Sequence, residues 1–360
     1  MTDVLLIEKH GYNEISLLIN DISDRLELSV VSFNPDRRFF ILFFASFFRR
    51  ILSGGSFNNW YLCYIVKKLR PKVIISFIDN NNSFYSLYKY IDIPIILVQN
   101  GLRNTFELSR DKRNYVDYFF VFSEAYKIWF SEFVSGSIIV HGSLRSNAVP
   151  IESIPRDDRY DFLVISEFRS RLNTNNLTQT FCENFRVAYS TIAKDKNLRL
   201  KRIAILLHEV TEPGRRYELE FFRSVTSSYD ISVELISPNY CSYRALDLAD
   251  TVVFFDSFLG YEALARGKKV FRVCSRGDPR YVFPHPYSSK FNKAMQECDY
   301  IFCNNGSVKD FSAEQLSIVS DLSDAEWARC MSVKELTERY GHFDNGSLQL
   351  RAVLKDLLLG

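Results

Sequence analysis

Asp250-Thr-Val-Val-Phe-Phe-Asp256-Ser257-Phe-Leu-Gly260-Tyr-Glu262-Ala-Leu-Ala-Arg266-Gly267-Lys-Lys-Val-Phe-Arg272 is the stretch that decides the fold. Residues 251–255 are β-branched or aromatic and uncharged, the pattern of a strand buried on both faces. Asp256-Ser257 breaks the run. Residues 258–265 follow as a helix closed by Gly267, and residues 269–274 make a second buried strand. Strand, turn, helix and strand in this order form one unit of a parallel sheet. The helix N-terminus of such a unit faces the rim at the carboxyl ends of the strands. Its free N–H groups suit a phosphate. Asp256 or Ser257 can equally be a plain helix cap. Capping does not account for Gly260 and Glu262. Gly in the first helical turn costs about 1 kcal/mol relative to Ala, which points to close approach of a ligand or of neighbouring backbone.

The same alternation extends outward in both directions. Strands are expected at residues 4–7, 28–33, 73–78, 94–98, 118–122 and 138–140, with helices at 13–25, 60–69, 84–90 and 124–133 between them. After residues 148–158, which hold Pro150 and Pro155, it restarts with strands at 162–166, 202–207 and 232–236. The fold class is α/β: two Rossmann-like domains facing a central cleft, with a helical C-terminus. The expected division is residues 1–147, a linker at 148–158, and residues 159–360 with the terminal helices. Polar clusters stand directly after successive strands: Asp79-Asn80, Gln99-Asn100-Gly101-Leu-Arg103, His141-Gly-Ser-Leu-Arg145-Ser-Asn147 and His208-Glu209. Arg276 and Arg280 follow the strand that ends the opening stretch. This spacing sets all of them on strand-end rims.

The 360 residues include 31 Phe and 20 Tyr, with a net charge of +2. Nothing in that balance calls for nucleic acid. Seven scattered Cys without Cys-x-x-Cys fit a reducing compartment. The first apolar run has an acid at each end and is expected to be a strand, not a signal peptide, so a cytoplasmic protein is expected. Residues 37–50 place ten uncharged residues between the pairs Arg37-Arg38 and Arg49-Arg50. Such a helix is either a core element between layers or an interfacial one, its arginines reaching lipid phosphates at the inner face of the cytoplasmic membrane. It is too short to span a bilayer.

Several chemistries lack their signatures. No Gly-x-Gly-x-x-Gly follows the first strand, and there is no Gly-x-x-x-x-Gly-Lys-Ser/Thr. No Asp-x-Asp occurs, and the five His do not form a metal set. The expected chemistry uses no metal and no cofactor, with charge handled by arginines and helix termini.

Five segments together resemble a family of bacterial surface-carbohydrate biosynthesis proteins, glycosyltransferases of the two-Rossmann GT-B type that are distantly similar to Kdo transferases. They are Ile78-Asp79-Asn80, the turn through Gln99 to Arg103, the turn through His141 to Asn147, Asp256 to Gly267, and Phe343-Asp344-Asn345-Gly346. Phe258 stands where the family pattern has a small Ser or Thr, and Asn345-Gly346 reverses its Gly-Asn. The resemblance implies transfer of a sugar from a nucleotide donor to a lipid-linked or growing O-antigen or capsule glycan. It implies a donor in the second domain and an acceptor in the first. A CMP-ulosonate such as CMP-Kdo is the leading donor; a CDP-glycerol-type polyol-phosphate transferase or a non-catalytic glycan-binding relative are the alternatives.

Within that frame, Asp79 is the expected general base, or the nucleophile of a retaining reaction; it can also merely order its turn. Asp256 is the rival carboxylate. Donor contacts are expected from Ser257, Gly260, Glu262, His208, Glu209, Arg276 and Arg280. Asn80, Gln99, Asn100, Arg103, Arg145 and Asn147 are expected to position substrate.

Overall fold

The computed structural model describes residues 2–33, 40–53, 56–79, 81–101, 114–169, 176–229, 231–237, 239, 241–255, 257–273, 302–303, 313–331 and 341–360. The chain divides into two compact units. One is Met1–Ala148 with His342–Gly360; the other is Val149–Gly341.

The first unit holds a six-stranded parallel sheet: β1 Val4–Ile7, β2 Leu28–Val31, β3 Val73–Ser76, β4 Ile95–Val98, β5 Asn114–Val121 and β6 Val134–Val140, in the order β2-β1-β3-β4-β5-β6. Its helices are α1 Tyr12–Ile22, α2 Phe40–Ser53, α3 Phe57–Leu69, α4 Asn82–Tyr85, α5 Glu124–Ser131 and α6 Leu144–Asn147. β1, β3 and β4 are buried at every residue, as uncharged Val/Ile/Leu runs require when both faces are covered. In α1 the buried Ile15, Leu18 and Ile19 recur at helical spacing and seat it on the sheet.

The second unit holds β7 Tyr160–Ile165, β8 Ile203–Leu206, β9 Val233–Ile236, β10 Ala249–Phe254, β11 Lys269–Val273 and β12 Phe302–Cys303, again all parallel, in the order β12-β11-β10-β7-β8-β9. Its helices are α7 Asn176–Lys194, α8 Gly214–Thr226, α9 Ser242–Asp247, α10 Phe258–Ala265, α11 Ala313–Asp321 and α12 Asp324–Met331. The aromatic excess fills this core. Phe181, Phe185 and Tyr189 of α7 meet Phe222 of α8 and Phe255 after β10, with ring centroids 4.9–6.4 Å apart.

The last helix, α13 Leu348–Leu359, corrects the expected division. The sequence places residues 159–360 in the second domain, yet His342–Gly360 belongs to the first unit. Leu350, Leu354 and Leu358, one per turn, pack with Val4, Leu6, Val73 and Ile75. Two of the resembling segments form the latch that holds it there. The Asn147 amide nitrogen donates to the His141 carbonyl at 2.8 Å, and its oxygen accepts the Asp344 N–H at 3.0 Å. The Asn147 carbonyl accepts from Gly346 N at 2.9 Å. Gly142, at φ 82°, pairs with Phe343; a Cβ there would lie 1.9 Å from the His342 carbonyl oxygen, so only glycine fits. The Asp344 carboxylate accepts from Gln349 N in the first turn of α13.

The His141 ring is wholly buried beside this carboxylate, 4.0 Å away, and edge-on to Phe120. Burial pushes its imidazole down to about 4 against the attraction of Asp344. Between that value and 6.5 the unfolded chain binds a proton that the folded chain refuses. The His141 contribution to stability is therefore level above pH 6.5 and is lost as pH falls from 6.5 towards 4. Denaturant titrations at several pH values should show this slope, shallower in His141→Gln. Leu354→Ala should cost about 2–5 kcal/mol in the same measurement, because it empties a site in the core of the first unit.

Candidate functional site

Each sheet reverses its winding at one point. In the first unit the reversal falls between β1 and β3, and in the second between β7 and β10. Ligands of open parallel sheets bind outside the carboxyl strand ends at such points. The turns that follow these four strands are therefore the candidate rims.

On the second unit's rim, Ser257 caps α10, its hydroxyl accepting from Leu259 N at 3.3 Å. The turn is held from behind by Arg272 of β11, a buried arginine whose Nε donates to the Phe255 carbonyl at 3.0 Å. Gly260 has a structural cause. A Cβ there would lie 2.2 Å from the Phe254 ring, so α10 sits on β10 closer than any side chain permits. The close approach expected from sequence is made by an aromatic side chain of the preceding strand. Glu262 points inward, nearly buried, and its Oε1 accepts from the Tyr243 hydroxyl at 3.0 Å. Arg266 of the same segment is wholly buried against Asp247 at 2.8 Å, and donates to the Val149 carbonyl at 2.9 Å. It fixes the start of the second unit rather than meeting a ligand.

On the far side of β7 from β10, the turn after β8 carries His208 and Glu209. Their backbone N–H groups both donate to the carboxylate of Glu218 on α8, at 2.8–3.1 Å. Ser166, directly after β7, donates its hydroxyl to the same carboxylate in a short bond. Burial raises Glu218 above the usual carboxylate range, and these three donors pull it back. One buried carboxylate thus orders the turns after two neighbouring strands. Sequence reasoning missed it, although the signal was present: Gly214, Glu218, Phe222 and Val225 form the buried stripe of α8, and Glu218 is the charge on it. Arg169 was missed too. It is exposed, just after β7, and its charge, after partial desolvation, helps hold His208 below the usual imidazole value.

On the first unit's rim, Asp79 directly follows β3 as expected, but its side chain is 0% exposed. Its Oδ2 accepts from Asn100 N at 3.4 Å, and its carbonyl accepts from the Tyr85 hydroxyl at 2.9 Å. Gln99 is also buried. Its amide spans Gly101 O and Phe122 N at 3.0 Å each, tying the end of β4 to that of β5. Asn147 is committed to the α13 latch. Asn100 and Arg145 are exposed.

The turn after β1, where the sequence suggested no site residue, brings His10 and Lys9 to the same reversal point. His10 is half-buried, edge-on to Phe77 at 5.2 Å. Desolvation and the Arg145 charge lower its imidazole, with Glu14 opposing. Gly11, at φ 68°, lets the chain turn here; a Cβ would strike the Phe77 ring. Next to this turn lies a cavity of about 500 Å³ lined by Lys9, Tyr12, Asn13, Glu14 and Arg145, among others, with Arg145 3.7 Å from Glu14.

Asn80, Arg103, Asp256, Arg276 and Arg280 lie outside the described residues. Among the described residues no His, Cys, Asp and Glu cluster could hold a metal ion.

Gly260→Ala should destabilise the protein by about 1–3 kcal/mol through overpacking. Phe254→Leu in the same chain should return part of that loss, a coupling readable in a double-mutant cycle of thermal unfolding.

The whole chain is similar to solved structures. MurG of Acinetobacter baumannii is 9% identical with a TM-score of 0.53, covering 99% of this chain and 100% of its own. The UDP-GlcNAc 2-epimerase of Methanocaldococcus jannaschii, solved with UDP-GlcNAc and UDP, is 14% identical with a TM-score of 0.52, covering 98% and 99%. The calicheamicin glycosyltransferase CalG4 is 12% identical with a TM-score of 0.53, covering 99% and 98%. At such identities the likeness establishes the fold, two Rossmann-like domains of the GT-B type. That fold carries transferases and an epimerase alike. No curated protein matches the sequence significantly. The profile of one protein family matches residues 96–358, and the chain belongs to that family, described as "putative O-antigen biosynthesis protein".

Proposed function

We propose that this protein is a metal-independent glycosyltransferase that moves a sugar from a nucleotide donor onto a lipid-linked or growing O-antigen-type surface glycan. The observation that carries the reading is the rim of the second unit. There the N-terminus of α10, capped by Ser257, and the turn leading to Arg169 flank the sheet reversal, with His208 at the end of the next strand, β8. A developing phosphate charge meets helix N–H groups and cations there. Arg276, Arg280 and Asp256 belong to the same rim by sequence; Glu209 is left as a candidate ribose contact, whereas Glu262 is turned inward to Tyr243.

In the reaction, the acceptor hydroxyl oxygen bonds to the anomeric carbon as the bond from that carbon to the donor phosphate breaks. The nucleotide leaves with the electron pair, and a base takes the hydroxyl proton. His10 is our first choice for the base. It stands at the reversal point of the first unit, is half-buried, and is held neutral at pH 7. Asp79 is the second choice, since its carboxylate is buried and accepts from Asn100 N in the neighbouring turn. Family membership supports a surface-glycan acceptor. The resemblance to Kdo transferases supports a CMP-ulosonate donor. The UDP and UDP-GlcNAc held by the epimerase of like fold favour a UDP-sugar as the second reading.

A thermal-shift screen should find one nucleotide among CMP, UDP and CDP that stabilises the chain, with Ser257→Ala reducing the shift. Turnover should follow with the matching donor among CMP-Kdo, CDP-glycerol and UDP-GlcNAc. A donor consumed with no acceptor glycosylated would point away from transfer. With His10 as base, kcat/KM rises with pH through an apparent pKa below 6.5. His10→Gln should erase that limb and lower kcat about 10²–10⁴-fold, while Asp79→Asn lowers the melting temperature and keeps the limb. The opposite pattern would make Asp79 the base.

A further inference from the structure

Helix α2 shows large apolar side chains to solvent along residues 44–52. Its sequence, Phe-Ile-Leu-Phe-Phe-Ala-Ser-Phe-Phe-Arg-Arg-Ile-Leu-Ser, contains no acid. Among its described side chains, those of residues 44–52, the buried one is Ser46, at 0% exposure. The large apolar side chains among them face outward: Phe44 is 44% exposed, Phe47 46%, Phe48 60%, Ile51 65% and Leu52 79%. These five positions are spaced i, i+3, i+4, i+7 and i+8, so they form one continuous stripe. At about 100° per residue, Arg49 and Arg50 fall on opposite flanks of that stripe. Both are exposed, and Arg49 rests on the Trp60 ring at 5.3 Å. A surface helix normally turns such residues the other way, and a stripe of this kind marks an interaction site.

We propose that α2 docks this protein on an anionic phospholipid surface. The stripe enters the interfacial zone and the two arginines reach lipid phosphates at its edges. The helix has 14 residues, about 21 Å of length against a bilayer core of about 30 Å, so it lies along the membrane and does not cross it. Among the described residues no helix is long and apolar enough to cross. Charge selects the occupant. Between Asp36 and Asp79 the chain carries eight Lys or Arg residues and no acid. A second copy meeting the same stripe would bring arginines against arginines, whereas phosphatidylglycerol or another acidic lipid complements them. The proposal does not depend on the donor or on the reaction.

The test is flotation of the full chain with vesicles of phosphatidylcholine, with and without phosphatidylglycerol. Wild-type protein should float with the acidic vesicles, less so as salt rises. Phe47→Ser, Phe48→Ser and Leu52→Ser combined should weaken partitioning by about tenfold or more. Because these side chains are already exposed, the melting temperature should stay unchanged, so lost flotation is not lost folding. Arg50→Gln should reduce the preference for acidic over neutral vesicles. Equal flotation of the triple variant, or none by wild-type protein, would overturn the proposal. So would a dimer in light scattering that the triple variant dissolves while wild-type protein ignores vesicles, since the stripe would then be a self-interface.

Discussion

Strands within each sheet all run one way, and that constraint organises everything else. A parallel strand must hand the chain to a crossover before the next strand begins. Each crossover helix then starts at the same rim, where its leading N–H groups have no partner in the helix. Both faces of the sheet are covered, so its strands can be uncharged. The polar residues that a site needs are pushed into the turns at that rim. In the first unit the turns after β1 and β3 flank the reversal, and in the second those after β7 and β10.

Turns so placed must be stiff to serve as a site, and the protein stiffens them with buried polar side chains. Gln99 joins the ends of two strands through its amide. Asp79 holds the backbone N–H of the turn beside it. Glu218 gathers three donors from two turns, and Arg272 grips the carbonyl before the Asp256-Ser257 turn. An unpaired buried carboxylate or guanidinium would cost several kcal/mol, so each is enclosed by donors or acceptors of the backbone it orders. Residues such as Gln99 and Asp79 thus look like ligand contacts in a sequence and serve as scaffolding in the fold. The exposed groups left on those turns, His208 and Arg169 in one unit and Lys9 and half-buried His10 in the other, are those the proposed function assigns to ligands.

The strands were legible because burial on both faces leaves an unmistakable uncharged run, as in residues 251–255. The motif segments were also legible, but their roles were not. Asn147 reads as a loop residue because its partner, Asp344, is 197 positions away. Gly260 points in the sequence to a ligand or neighbouring backbone, yet what crowds it is the Phe254 side chain, which no spacing rule identifies. Glu218 could have been found as the charge on the apolar stripe of α8. His10 does not stand out in the sequence, because the turn after β1 carries no familiar pattern. Its position at the reversal follows from strand order, which local sequence does not contain. The length of residues 37–50 excluded a span but left two readings open; the exposed stripe on α2 is the ground on which the interfacial one is proposed.

The return of α13 to the first sheet bears on how the protein is made. Residues 149–341 stand between the two pieces of the first unit. A ribosome working at about 5–20 residues per second needs on the order of 10–40 s to make them. For that time the nascent first sheet lacks Leu350, Leu354 and Leu358, and the Asn147 amide lacks Asp344. The second unit is continuous in sequence and is the first to be complete. The first unit closes last, when residues 342–360 emerge and cover the sheet face that Leu350, Leu354 and Leu358 fill.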